Sequence, residues 1–249
     1  VATEAMSAVI MAGHGGEAFW LDSARCGWET SPYYAPEVPE WVARSNRERY
    51  NLSYIAPEWR TLYEKGRYVN SRKWDVILTG KNKKEKDETG SGRLKLTTDF
   101  DRMLYTPAGN TAVLGLAKQA IAQSAIELVN DGDTLLVDSG TTALEFVRLL
   151  DQRDGITVIT ADITIADYID ESMPSVDVVM LGGALRKGHR YLYGPLTMQA
   201  LQMVHADLAV MCPGAFVPGC GFTTDFPQMA ETKTAMISAA RQGVALMDA

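Results

Sequence analysis

The stretch Thr134-Leu-Leu-Val-Asp-Ser-Gly-Thr-Thr-Ala-Leu-Glu145 decides the fold of this chain. Its first part, 134–138, is a short aliphatic run of the kind that makes a buried strand. Gly140 then provides a turn, and the hydroxyl residues after it open a helix that is predicted to continue through Leu150. A strand that passes through a glycine turn into a helix is the repeating unit of an α/β domain.

The same alternation continues on both sides of this stretch. Short β-branched strands are predicted at 156–160, 176–181, 208–212 and 244–247, and helices at 117–129, 163–169, 196–204 and 228–241. Strands that alternate with helices in this way pair in parallel and are covered on both faces. The sequence therefore predicts a Rossmann-like α/β domain with a parallel sheet and helices on both faces, preceded by an irregular, aromatic-rich N-terminal region.

Composition divides the chain into three parts. Residues 1–81 are rich in aromatic residues and proline, and here only 74–79 is predicted as a strand and only short helices, such as 56–65, are expected. Residues 82–110 open with mixed charges and glycine and are predicted to be a polar linker. Residues 111–249 form the α/β domain. The first part is either an arm that packs on another surface or a small domain of its own, and the sequence favours neither.

Charge and cysteine content restrict the function of the chain. Its 46% apolar and 22% charged residues suit a folded soluble protein, and no apolar run reaches the roughly 18 residues of a membrane span. Residues 111–249 hold 8 Lys and Arg against 16 Asp and Glu, so this part alone is not expected to bind DNA. Three cysteines without a CxxC pair favour a reducing compartment, the cytoplasm, over a disulfide framework. No metal site or cofactor is predicted.

The turn around Gly140 is also the candidate ligand site. Free N–H groups at the start of a helix suit an anion such as phosphate, and nearby hydroxyl groups would add donors. Ordinary helix capping explains the same residues and stays open as an alternative. A later glycine pair places Arg186 at the carboxyl edge of the sheet, where ligands bind in such folds, although a surface salt bridge is equally consistent with Arg186 and with Lys233. The predicted phosphate-binding set is Asp138, Ser139, Gly140, Thr141, Thr142, Gly182, Gly183, Arg186, Thr223, Thr224, Glu231 and Lys233.

Several motifs occur together in the order and spacing of a known family. They are Asp138-Ser-Gly-Thr-Thr142, Leu181-Gly-Gly-Ala-Leu-Arg186, Gly194-Pro195, Ala206-Asp207, Gly221-Phe-Thr-Thr224 and Glu231-Thr-Lys-Thr-Ala-Met236. With them, about 130 residues from 117 onward resemble the sugar-phosphate sensor domain of DeoR-family transcriptional regulators. The resemblance implies a fold related to ribose-5-phosphate isomerase and a phosphorylated sugar as effector. Pro213-Gly-Ala-Phe216 departs from the Gly-Ala-Asp-Gly of the family, which removes a polar group near the expected site.

Three functions follow from this interpretation. The first is a regulatory sensor of a phosphorylated sugar in transcription regulation, and the family resemblance favours this function. The second is an architectural subunit of a larger assembly, because no winged helix-turn-helix is found in residues 1–110. The third is a sugar-phosphate isomerase with Asp138 or Glu231 as base, although no catalytic residue is assigned. The resemblance implies a homo-oligomer, the N-terminal region is predicted to contact protein, and DNA is expected to be reached indirectly or through a segment outside this sequence.

Overall fold

The computed structural model describes residues 9–11, 18–22, 27–32, 35–48 and 107–247. The chain forms two compact units, Val1–Ala117 and Lys118–Ala249. The helix predicted at 56–65, the strand predicted at 74–79 and most of the predicted linker, 82–106, lie outside the described residues. The division of the chain into 1–81, 82–110 and 111–249 stays a prediction.

In its described residues, the first unit contains a small antiparallel sheet, one complete helix and the start of the helix Pro107–Ile126, which continues into the second unit. Its strands are β1 (Val9–Met11), β2 (Ala18–Asp22) and β3 (Gly27–Glu29), paired in that order, and its helix is α1 (Glu40–Glu48). Asn46 joins the helix to the sheet, because its Oδ1 accepts from the Trp28 amide at 2.6 Å and its Nδ2 donates to the Trp28 carbonyl at 2.9 Å. Phe19 is buried and meets Trp41 edge to face, with ring centres 5.5 Å apart.

The prediction that 74–79 is the only strand of the N-terminal region is wrong, since β1, β2 and β3 precede it. These strands are three to five residues long. Such short strands contain too few residues for an alternating pattern to be recognised.

The second unit contains a five-stranded sheet with the order β12-β9-β4-β5-β6, and every pairing in it is parallel. Two antiparallel hairpins, β7-β8 and β10-β11, are attached to it. In chain order the elements are α2 (Pro107–Ile126), β4 (Thr134–Val137), α3 (Thr141–Val147), a 3-10 turn (Leu150–Gln152), β5 (Thr157–Thr160), α4 (Ile163–Ser172), β6 (Asp177–Met180), β7 (Ala184–Arg186), β8 (Tyr191–Tyr193), α5 (Pro195–Leu201), β9 (Ala206–Met211), β10 (Ala215–Val217), β11 (Gly221–Thr223), α6 (Pro227–Ser238) and β12 (Ala240–Ala245).

Helices cover both faces of this sheet, as the sequence predicts. Successive residues of a strand point to opposite faces. Leu135 and Val137 therefore pack with the residues of α2, α3 and α4, whereas Leu136 packs with those of α5 and α6. All three side chains are fully buried. The Rossmann-like α/β fold is confirmed.

The boundaries differ from the prediction at both ends of the domain. Helix α2 begins at Pro107 and not at 117, and β12 begins at Ala240 and not at 244. Strand β12 lies at an edge of the sheet, and Arg241, Gln242 and Gly243 in it are exposed. An exposed edge strand tolerates polar residues, so its first half carries no hydrophobic signal. In the ranges that the structure describes, no helix has the length and apolar character needed to cross a membrane.

Candidate functional site

Two carboxylates mark the carboxyl edge of the sheet. Asp138 directly follows β4, and Asp162 lies two residues beyond the end of β5. They are 2% and 5% exposed. Buried carboxylates need hydrogen-bond donors, and in a parallel sheet the loops at this edge are the usual place for a ligand. Each carboxylate therefore identifies a part of the site.

Asp138 joins three elements of the domain. Its Oδ1 accepts from the Ser139 amide at 2.8 Å, and its Oδ2 accepts from the Cys212 amide at 2.8 Å. The Lys233 ammonium, from α6, also donates to Oδ2 and donates a second hydrogen bond to the Cys212 carbonyl at 2.7 Å. The two charges are thus neutralised against each other inside the protein, which holds the turn after β4 against β9 and α6.

Cys212 is a poor nucleophile in this position. Burial raises the pKa of the Cys212 thiol to about 12, with a smaller contribution from the neighbouring Asp138 carboxylate and an opposing one from the Lys233 ammonium. The thiolate is the reactive form of cysteine. Cys212 is therefore unsuited to covalent chemistry in this environment.

Asp162 fixes the neighbouring turn. Its Oδ1 accepts from the amides of Thr164 at 2.7 Å and Ile165 at 3.3 Å, which caps helix α4. Its Oδ2 accepts from the Gly140 amide at 3.3 Å. Burial raises the pKa of Asp162, although these hydrogen bonds oppose the rise. One side chain thus holds the Gly140 turn beside the start of α4.

The loop between β7 and β8 closes the other side of the site. The Arg190 carbonyl accepts from the Ile163 amide at 2.9 Å, and the Ala161 carbonyl accepts from the Leu192 amide at 2.9 Å. Arg190 Nε donates to Thr164 Oγ1 at 3.0 Å. Among the described residues Arg190 is the one non-glycine with a positive φ, 58°. This backbone conformation is uncommon outside glycine and indicates that the loop is held in place by its contacts.

A cavity of about 280 Å³ lies between the Gly140 turn and this loop. Its lining residues are Ser139, Gly140, Thr141, Leu144, Asp162, Thr164, Ile165, Gly188, His189, Arg190 and Tyr191. Lys118 donates to Thr141 Oγ1 at 2.8 Å. The structure thus brings Ser139, Gly140 and Thr141 of the predicted set to the cavity. Its other lining residues are absent from that set.

The remaining predicted residues lie in other places. Asp138 and Lys233 form the buried pair, Thr142 follows Thr141 in α3, and Glu231 is exposed on α6. Gly182 and Gly183 follow β6, where the Gly182 carbonyl accepts from Thr197 Oγ1 at 2.6 Å. Thr223 ends the exposed β10-β11 hairpin and Thr224 follows it. None of these residues lines the cavity, and their binding role stays a prediction.

Arg186 is engaged by aromatic rings. Its guanidinium carbon lies 4.3 Å from the centre of the Phe226 ring and 5.7 Å from that of Tyr191. Its Nη1 donates to the Tyr191 hydroxyl at 2.6 Å. A guanidinium stacked in this way stabilises the loop through cation–π contacts. Arg186 does not line the cavity.

The sequence offered signals for some of the residues that were missed. Asp162 stands immediately before the apolar pattern of α4, which is where a helix-capping residue is expected. Gly188, in the middle of a short polar stretch, indicates a turn. No comparable signal distinguishes Arg190 from Arg186, because the difference depends on the hairpin that joins them. Within the described part of the chain, no group of three or more His, Cys, Asp or Glu residues is arranged to hold a metal ion.

Fold and site together define an α/β domain with a pocket at the carboxyl edge of its parallel sheet. Residues 115–249 match the model of the family described as the DeoR C terminal sensor domain. This match covers more than half of the 249 residues, and the chain belongs to that family. The family resemblance predicted from the sequence motifs is confirmed.

Curated relatives with different printed names match parts of the chain. The HTH-type transcriptional repressor GlcR of Bacillus subtilis is 31% identical over 141 residues, which are 57% of this chain and 54% of that protein. A protein of Myroides odoratus named calcium-transporting ATPase is 34% identical over 125 residues, which are 49% of this chain and 23% of that protein. The chain thus spans about half the length of the repressor and about a quarter of the ATPase.

Among solved structures, ribose 5-phosphate isomerase A of Methanocaldococcus jannaschii is similar, with a TM-score of 0.37 and 14% identity. The similarity covers 52% of this chain and 50% of the isomerase.

Proposed function

We propose that this chain is a regulatory sensor of a phosphorylated sugar that acts in transcription regulation. Residues 115–249 match the model of a sensor domain, and this match supports a regulatory role. The observation that carries the proposal is the cavity of about 280 Å³ at the carboxyl edge of the sheet, lined by Ser139, Gly140 and Thr141. Pockets for small molecules range from about 300 to 1,000 Å³, so this cavity suits a small ligand.

In this proposal the Gly140 turn binds the phosphate group. The Ser139 and Thr141 hydroxyls and the first backbone amides of α3 are hydrogen-bond donors to an anion, whereas the amides of Ser139 and Gly140 already donate to Asp138 and Asp162. Gly140 lets a ligand approach the backbone closely. Asp138 and Lys233 are positioning residues, because they hold the turn against β9 and α6. Binding roles for Thr142, Gly182, Gly183, Arg186, Thr223, Thr224 and Glu231 stay predictions of the sequence.

The proposal places DNA contact outside the sensor domain. With 8 basic against 16 acidic residues in 111–249, this domain repels the phosphate backbone. In this proposal the chain therefore acts on transcription without touching DNA itself, or the DNA contact is made by a segment that is not part of this sequence. The same proposal includes a homo-oligomer, or a larger assembly that the N-terminal region contacts. It also includes a cytoplasmic location.

Thermal unfolding with and without ligands tests the proposal. The purified chain is heated with ribose 5-phosphate, glucose 6-phosphate, fructose 6-phosphate and their unphosphorylated sugars. A ligand that binds only the folded state stabilises it by about 2.7 kcal/mol at 100 times its dissociation constant. We expect a sugar phosphate to give this shift, the free sugar to give none, and Thr141→Ala to abolish it.

Thr234→Ala is the matched control, because Thr234 is exposed on α6 and its hydroxyl donates to the Ala230 carbonyl of its own helix, at 2.8 Å. It should keep the shift. If none of the sugar phosphates gives a shift, the sensor role is rejected. If the chain converts one of them, it is a sugar-phosphate isomerase.

A further inference from the structure

We infer that Arg190 is the charged residue that binds the phosphate group in the cavity, together with the Gly140 turn that lines the same cavity. This inference rests on the proposed function and adds to it the cation that recognises the phosphate. It adds the β7-β8 loop, which the sequence motifs do not mark, to the recognition of a phosphate monoester.

The surroundings of the other basic residues support Arg190. The Lys233 ammonium is neutralised by Asp138, and the Arg186 guanidinium is stacked on Phe226 and bonded to the Tyr191 hydroxyl. Lys118 donates to Thr141 and does not line the cavity. Of the Lys and Arg residues that the structure describes, Arg190 alone contributes to the cavity wall.

Arg190 is held in a geometry that suits an anion. Its backbone carbonyl is bonded to Ile163, and its Nε is bonded to Thr164 Oγ1. These two contacts fix the base and the neck of the side chain, while its terminal amino groups keep their donors for a ligand. A guanidinium presents several N–H donors in a plane, which matches the oxygens of a phosphate group.

Asp162 holds the two sides of the phosphate site together. Its carboxylate is buried, and the amides of Gly140, Thr164 and Ile165 donate to it. Its backbone pairs with Tyr191, the residue after Arg190. Asp162 is therefore a positioning residue, which holds the Gly140 turn beside the loop that carries Arg190.

Isothermal titration of the whole chain at constant ionic strength tests this assignment. The probes are inorganic phosphate and the sugar phosphates named above. The variants are Arg190→Gln, Arg186→Gln and Lys187→Gln. Lys187 is the matched control, because it lies in the same loop, is exposed, and does not line the cavity. Urea unfolding of each variant confirms that it is folded.

We expect Arg190→Gln to weaken the binding of inorganic phosphate and of the sugar phosphate at least about tenfold, as for the loss of one charge-assisted hydrogen bond. Lys187→Gln should remain within about threefold of the wild type. Arg186→Gln loses contacts that stabilise the loop and should weaken binding less than Arg190→Gln does. Wild-type affinity in Arg190→Gln, or an equal loss in either other variant, would overturn the assignment.

The two probes separate this inference from the proposed function. If inorganic phosphate binds and depends on Arg190 while no sugar phosphate binds, the phosphate site stands and the sugar sensor fails. If a sugar phosphate binds with equal affinity to wild type and Arg190→Gln, the sensor stands and the assignment of Arg190 fails. If neither probe binds the wild type, both are rejected.

Discussion

Lys233 and Asp138 form a buried ion pair between residues that lie 95 positions apart in the chain. The Lys233 side chain is 15% exposed and that of Asp138 is 1% exposed. The pair joins the end of β4 to α6, and the Cys212 backbone completes it from the end of β9. The carboxyl edge of the sheet is thus held together by charge as well as by packing, at the position where the candidate cavity begins.

The first prediction concerns this pair. Lys233→Met should lower the free energy of unfolding by about 3 kcal/mol, because it leaves the Asp138 carboxylate buried without its counter-charge. The double variant Asp138→Asn/Lys233→Met should recover at least about 1 kcal/mol of that loss, since the two residues are in direct contact. Urea unfolding measures both values. Lys187→Met, on an exposed site, should remain within about 0.5 kcal/mol of the wild type. If the changes in unfolding free energy of the two single substitutions add up to the change in the double variant, the ion pair contributes no coupling energy.

Asp162 gives a second prediction, on stability and pH. Asp162→Ala should cost about 1–2 kcal/mol, because the cap of α4 and the bond to Gly140 are both lost. Asp162→Asn keeps an acceptor oxygen and should cost less. Urea unfolding at neutral pH measures the two costs, and equal costs for Ala and Asn would contradict the capping role.

The sign of the pH dependence follows from the burial of Asp162. Burial raises its pKa above the ordinary value of 3.8, so between the two pKa values the folded state binds more protons than the unfolded state. The stability of the wild type relative to Asp162→Asn should therefore fall as the pH rises through 3.8 and should level off above the folded-state pKa. A relative stability that rises over this range would mean that the hydrogen bonds, and not burial, dominate the pKa.

The central strands of the sheet were predictable because their surroundings are uniform. β4, β5 and β9 are covered by helices on both faces, so most residues in them are apolar, as in Leu135, Leu136 and Val137. The hairpins β7-β8 and β10-β11 are attached to the sheet and have exposed residues such as Phe216 and Phe222. Their strands are three residues long, and their pairing depends on contacts that a local pattern does not contain.

The part of the site that directly follows β4 was predictable from the sequence. Ser139, Gly140 and Thr141 occupy the turn that any parallel strand of this kind places at the carboxyl edge. The choice between Arg186 and Arg190 was not predictable, because the two residues lie on one hairpin and only its fold decides which of them reaches the cavity. The Arg186 guanidinium lies over the rings of Tyr191 and Phe226, and Phe226 is distant from Arg186 in the sequence.

Two neighbouring glycines give a third prediction. A Cβ atom on Gly183 would lie 2.4 Å from Thr197 Oγ1 and 2.6 Å from the Tyr193 carbonyl oxygen, and its φ is 152°. A Cβ atom on Gly182 would meet nothing within 4 Å. Gly183→Ala should therefore lower the free energy of unfolding by at least about 2 kcal/mol through overlap and backbone strain. Gly182→Ala should change it by less than about 1 kcal/mol. Urea unfolding of both variants measures the difference, and similar values for the two would contradict the close approach of β8 to Gly183.

The last prediction concerns the reactivity of the two cysteines in the described part of the sensor domain. Cys220 is exposed, whereas the Cys212 thiol has a pKa of about 12 in place of its ordinary 9.0. Its thiolate fraction at pH 8 should be about a thousandfold smaller than that of an ordinary thiol, and alkylation slower by the same factor. Iodoacetamide labelling followed by peptide mass spectrometry measures the rates, and unfolding in guanidinium should make them equal. Since the Asp138 carboxylate raises the pKa of Cys212, Asp138→Asn should speed its labelling in the folded protein. Rapid labelling of Cys212 in the folded wild type would show that this edge of the sheet opens to solvent.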